Sequence, residues 1–226
     1  MAIFYGLAES EKEVLSQYPG RIENMEQAGN AFDEIEKELD SIDTGGFFSK
    51  YKRWNKNRKM NKFHKTKLFY GGALGENQVI KKLEELSDEY HVICGANIRL
   101  PYWVTYRNKK NLRSAQMDVI VVSKRGAYLI EVKNWSGGFS VKDAKFNPYE
   151  QTERAGRVLW IYLQSIRKGT NVKNVLLSVK GDFEYNYNYK SVYVSNLQKI
   201  KNLLETGYVQ LTDEEVTSIV EQLRKL

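Results

Sequence analysis

The stretch from Gln116 to Trp135, QMDVIVVSKRGAYLIEVKNW, constrains the fold more than any other part of the chain. Val119 to Val122 and Ala127 to Ile130 are short runs of β-branched, aliphatic and aromatic residues, separated by Ser-Lys-Arg-Gly, a polar turn with glycine where a positive φ is needed. Continuous rather than alternating apolarity means that both faces are covered, so the hairpin belongs at the centre of a sheet. If Lys124 and Arg125 form a two-residue loop, Ser123 pairs with Gly126, partner numbers sum to 249, and Asp118 falls opposite Glu131. A three-residue loop ending at Gly126 would shift the register by one and still leave both acids at the same end.

Opposed side chains in such a pair have Cβ atoms about 5 Å apart, and like charges there are destabilising unless compensated. Lys133 shares the face of Glu131, because strand side chains alternate with period two. Two carboxylates and an ammonium therefore converge at one end of a buried hairpin. The natural compensation is a divalent cation, since Mg²⁺ is held by one or two carboxylates plus water and substrate phosphate.

The charge of the chain is unevenly placed. Residues 1–49 hold eleven acids and three bases; residues 50–67 hold nine bases and no acid; the remainder is moderately basic, and the whole carries +7. Composition thus divides the chain into an acidic helical extension (1–49), a basic aromatic connector (50–67) and a main domain with C-terminal helices (68–226). In the connector, Lys50, Lys52, Arg53, Lys56, Arg58, Lys59 and Lys62 are interleaved with Tyr51, Trp54 and Phe63. That combination suits nucleic acid, with cations on phosphates and rings on bases; a solvated linker or helix and a membrane-surface segment are the alternatives. Cys94 is the single cysteine, which excludes an intramolecular disulfide and a Cys-based zinc site and fits a reducing cytoplasm. The opening MAIFYGLAESEKEV does not read as a secretory signal, and no apolar run reaches the ~20 residues of a membrane span.

Helices are expected over 9–17 and about 23–41; the second has a partial apolar stripe among acids and needs a partner to pack on, a second copy or another protein. In GALGENQVIKKLEEL, Glu76 shares a helix face with Val79, Ile80 and Leu83. A carboxylate there must be paired or ligate metal, unless it lies in the first turn and faces the helix dipole. Extended segments at 90–94 and 96–104 precede a polar loop, Arg107 to Ser114, that includes Arg113 and is placed to touch a substrate backbone. After the hairpin come a turn at Ser136-Gly137-Gly138 and a strand at Phe139 to Val141. Asn147-Pro148 opens a helix, as N-cap and first helical residue, with Gln151 on the side of its apolar stripe. Strands at Val175–Val179 and Val192–Val194 follow, then helices near 196–205 and 212–226, the last with a capping box at Thr212 and Glu215. His64 and His91 have no metal-ligand company and read as surface or structural.

Glu76 in GENQV, Asp118 in QMDVIVV, Glu131 and Lys133 in EVKNW, and Gln151 in NPYEQ stand in the order of the PD-(D/E)xK nuclease superfamily, and most resemble its nuclease-related (NERD) branch. The resemblance covers about residues 70–200. Met117 stands where the superfamily's name has proline. It implies a restriction-endonuclease-like α/β sandwich, a central mixed sheet flanked by helices, here with an N-terminal helical extension. It also implies an active site of Glu76, Asp118, Glu131, Lys133 and Gln151. Asp118, Glu131, the Val132 carbonyl and Glu76 would bind Mg²⁺, or Mn²⁺ in its place. Lys133 would orient or help deprotonate the attacking water, and Gln151 would position water or phosphate. The implied activity is hydrolysis of phosphodiester bonds in DNA, or in RNA. The competing readings are an idle nucleic-acid-binding module that works through residues 50–67, and a structural domain whose acids pair with Lys133 and Arg113.

Overall fold

The computed structural model describes residues 1–46, 48–135 and 147–226; the turn and strand expected at 136–141 lie outside the described residues. These residues divide into two compact units, one of residues 1–8 and 75–226, the other of residues 9–74.

The larger unit is built on a mixed six-stranded sheet in the order β1 (Ile3–Tyr5), β2 (His91–Tyr106), β3 (Lys109–Ser123), β4 (Gly126–Lys133), β5 (Val172–Ser178), β6 (Val192–Asn196). The central hairpin has the register of a two-residue loop, Ser123 opposite Gly126 and Val119 opposite Ile130. Gly126 takes φ +108°, and an added Cβ would meet the Asn171 carbonyl oxygen at 3.2 Å. β2 and β3 are antiparallel, as are β3 and β4; β5 runs parallel to β4, β6 parallel to β5, and β1 parallel to β2. Antiparallel neighbours need only a turn, whereas the parallel β4–β5 pair requires a crossover, and α4 (Pro148–Ile166) lies in that connection.

Each face of the sheet carries a helical layer. On one, Ala155, Val158, Leu159 and Leu163 of α4 join Val216, Ile219 and Val220 of α6 (Asp213–Leu223) over Met117, Ile120, Val122 and Leu129. On the other, Val79 and Leu83 of α3 (Ser49–Leu83) join Ile200 and Leu204 of α5 (Ile200–Glu205) over Val119, Val121, Tyr128 and Ile130. Coverage on both sides is the reason the strands read as unbroken apolar runs. The caps expected at α4 and α6 are present: Asn147 accepts from the Tyr149 and Glu150 N–H groups, and Thr212 and Glu215 form a reciprocal box.

The expected loop at Arg107–Ser114 is instead most of a strand. Arg107 and Asn108 form a tight turn with φ of 44° and 62°, and β3 starts at Lys109. Asparagine tolerates this left-handed region better than most residues, but a turn without glycine gives little sequence signal. β2 and β3 therefore continue beyond the sheet core as a two-stranded arm, irregular between Arg99 and Val104.

In the smaller unit, α1 (Glu9–Gln17) and α2 (Met25–Asp40) accompany the first part of α3. The basic tract is thus helical. Phe63 is fully buried and packs with Phe32, Ile35 and Leu39 of α2, which supplies within the chain the apolar partner α2 needed. Lysines frame this contact: Lys67 pairs with Glu36 at 3.0 Å, Lys62 donates to the Gln17 carbonyl, and Lys52 reaches Asp43. Their long stems cover apolar surface while the ammonium groups stay wet, so the buried face is masked in the sequence.

Candidate metal and phosphodiester site

β3 serves two neighbours. Its ladder with β2 runs from Lys109 to Val122, while its ladder with β4 is confined to Val119–Ser123. The two central strands therefore part at Asp118. There the Asp118 side chain takes over from the backbone, with Oδ2 accepting the Val132 N–H at 2.8 Å. Across the fork, Lys133 Nζ donates to Glu131 Oε1 at 2.6 Å. The expected convergence of Asp118, Glu131 and Lys133 is what the fork presents.

The packing explains how Glu76 joins them. Helix α3 begins at Ser49, so Glu76 lies deep inside it rather than in a first turn, and the helix dipole offers no compensation there. That alternative for Glu76 is removed. Gly75 precedes it, and a Cβ at Gly75 would stand 2.5 Å from Asn134 Cβ, so only glycine lets the helix approach the end of β4 this closely. The acid after it is 5% exposed and near enough to Asp118 to act on its charge.

Burial first, then the charges of Glu131 and Glu76, push the Asp118 carboxyl well above its usual range, against the opposing pull of Lys133 and the Val132 N–H. Burial works against the Lys133 ammonium, but Glu131 and Asp118 outweigh it and hold the pKa above that of an ordinary lysine. Glu131 is 1% exposed, and its Oε2, unlike Oε1, has no hydrogen-bond partner among the described residues. A buried carboxylate oxygen without a partner, beside a second carboxylate that resists ionisation, is short of positive charge. Among the described residues no group of three His, Cys, Asp or Glu side chains forms a ready-made cage. The donor set suits Mg²⁺, which takes few protein ligands and keeps water, better than a metal that demands a full protein shell.

Gln151 stands apart from this cluster. It is exposed in the first turn of α4 and, with Gln116, Ser114, Asn147, Glu150 and Arg154, lines a cleft of about 640 Å³ between outer β3 and α4. Gln116 is two residues from Asp118, so the cleft opens beside the fork. Arg113 donates to the Leu100 carbonyl and stacks over Trp103 at 5.8 Å. Of the basic-tract residues, Lys50, Arg53, Trp54, Arg58 and Lys59 are exposed, with Arg58 over the Trp54 ring at 5.4 Å; Lys52, Lys56 and Lys62 contact the same unit. His91 bonds Tyr5 at 3.2 Å and His64 is exposed.

Sequence reasoning missed the cleft and the anchor of the arm. Tyr106 and Arg107 both donate to Glu153 Oε2, at 2.5 and 3.0 Å, and Ser191 donates to its Oε1. Burial raises the Glu153 pKa, but these three hydrogen bonds prevail and hold it below the usual carboxylate value. No residue-type pattern links positions this far apart in the chain; only their clustering in space identifies them.

The family model for the nuclease-related domain matches residues 71–194, which takes in Glu76, Asp118, Glu131, Lys133 and Gln151. No curated protein matches the chain. Among the described residues no helix is long and apolar enough to cross a membrane.

Proposed function

Since the chain belongs to the nuclease-related domain family, we propose that it is a metal-dependent nuclease that hydrolyses phosphodiester bonds of DNA at the fork between β3 and β4. The observation that carries this reading is Glu131 Oε2, without a partner among the described residues and buried beside Asp118 and Lys133. Asp118 and Glu131, with Glu76 and the Val132 carbonyl, would hold Mg²⁺ or Mn²⁺. A divalent ion bound there supplies Lewis-acid polarisation of the phosphate and a water of lowered pKa.

The chain's own groups do the rest. Asp118 is fixed by the Val132 N–H, so its free oxygen is aimed rather than rotating. Lys133, held as an ammonium by its acidic neighbours, suits orientation of the attacking water and neutralisation of phosphate charge better than removal of a proton. Gln151 and Gln116 place amide donors and acceptors along the cleft wall, where they can hold a phosphate oxygen or a water.

The exposed Tyr51, Trp54 and Arg58 on α3 favour a second reading, a binding module in which the basic helix provides the function and the acids are idle. Cleavage of labelled DNA and RNA, single- and double-stranded, in Mg²⁺, Mn²⁺ or EDTA separates the two. The nuclease reading expects cleavage only with metal. Binding of every substrate without cutting under any condition would sink it and leave the binding module.

A further inference from the structure

The β2–β3 arm has features that its own packing does not require. Between Gly95 and Met117 the chain holds five bases and no acid. Two of these bases are engaged at the arm itself, Arg107 with Glu153 and Arg113 with Trp103. Arg99, Lys109 and Lys110 are exposed, and no carboxylate pairs with them among the described residues. Tyr102 and Trp103 stand at the irregular point of β2, 58% and 51% exposed. Large aromatic surface left in water, on a basic strand pair, is the composition of a stacking platform.

The arm is also placed to deliver what it holds. On the side away from β2, outer β3 has no strand partner among the described residues from Lys109 to Asp118. Leu112, Ser114, Ala115 and Gln116 of that edge line the cleft beside the fork, and the N–H groups a strand turns away from its one partner are donors that phosphate oxygens can use. Strand geometry puts Lys110 roughly 27 Å and Arg113 roughly 17 Å from Asp118 along β3, a run long enough for several nucleotides. Tyr106 and Arg107 tie the turn to Glu153, and Arg154 holds Asn111, so the outer part of the arm is anchored on α4.

We propose that the arm is a binding track for single-stranded DNA, with bases stacked on Trp103 and Tyr102, phosphates on Arg99, Lys109 and Lys110, and the strand led along the cleft to Asp118. Unpaired bases are required because a duplex keeps its bases stacked on one another and offers no ring faces to the two side chains. This rests on the nuclease reading for the destination of the strand, but the binding itself does not need the acids.

The test is fluorescence anisotropy in EDTA, with labelled oligothymidine, oligouridine and a duplex, for wild type, Trp103→Ala, Tyr102→Ala, Lys109→Gln/Lys110→Gln and Asp118→Ala. Each aromatic variant should weaken oligothymidine binding about tenfold and leave duplex binding nearly unchanged. The lysine double variant should lower the slope of log affinity against log salt by about 1.4. Asp118→Ala, which removes an acid from the end of the track, should bind at least as tightly as wild type, and oligouridine bound more tightly than oligothymidine would overturn the assignment to DNA. Unchanged oligothymidine affinity in both aromatic variants, or equal weakening for the duplex, would overturn the track while leaving the nuclease reading intact. Normal track behaviour in a protein that never cleaves would uphold the track and remove the nuclease reading. Circular dichroism checks that each variant is folded.

Discussion

Two regions of this chain concentrate charge, and they differ in what surrounds it. At the fork, Glu131 and Lys133 have side chains 2% and 16% exposed, and Asp118 is crowded by both. In the helical unit, Lys67 and Glu36 form their 3.0 Å pair with side chains 47% and 40% exposed. The second arrangement is the ordinary use of surface charge, screened by water and worth little. The first places like charges in a poor dielectric, where they push the Asp118 carboxyl up and leave Glu131 Oε2 without a partner among the described residues. The same residue types thus read as solvation in one place and as chemistry in the other, and burial decides which.

The largest difference should appear in activity. Asp118→Ala and Lys133→Ala are expected to reduce metal-dependent cleavage by at least a hundredfold, on the order seen when one charge-stabilising group leaves an active site. Lys67→Ala should leave cleavage at the wild-type rate; a comparable loss there would erase the distinction between the two regions. Stability comes next. Lys133→Met leaves buried carboxylates without their counter-charge and should lower unfolding free energy by about 3 kcal/mol, read in urea melts. Adding Glu131→Leu should restore much of that loss, because the stranded charge is then gone.

A smaller effect belongs to the arm anchor. Glu153 has a depressed pKa, so its hydrogen bonds contribute stability that is fully present above the ordinary carboxylate value of 4.5 and is lost as pH falls through the lower folded value. The contribution should be about 1–2 kcal/mol, and Glu153→Gln should flatten this acid limb of the stability profile. Smallest of all, Lys67→Ala should change stability by less than about 1 kcal/mol, and added salt should shrink even that.

The central hairpin was legible in the sequence because its register follows from turn length and its burial from unbroken apolarity. The N-cap at Asn147 and the box at Thr212 were legible for the same local reasons. The arm was not: its strands are polar where they leave the core, and the Arg107-Asn108 turn has no glycine to announce it. β1 was not, because three residues carry no period and the strand exists only by pairing with His91–Ile93. Of the site, Asp118, Glu131 and Lys133 share one hairpin and could be placed by counting. Glu76 reaches them only through the Gly75–Asn134 approach, and the position of Gln151 on the cleft wall depends on how α4 packs. Both are tertiary facts that spacing does not encode.

The most direct measurement is thermal melting of wild type and Asp118→Asn, each with and without Mn²⁺. The substitution removes a charge that burial disfavours while keeping an oxygen to accept the Val132 N–H. Without metal, Asp118→Asn should melt a few degrees above wild type, corresponding to about 1 kcal/mol. With Mn²⁺ at about ten times its dissociation constant, wild type should gain about 1.4 kcal/mol and the variant little, which reverses the order of the two melts. A variant that melts lower without metal, and that Mn²⁺ stabilises as much as it does wild type, would contradict a cation site at the fork.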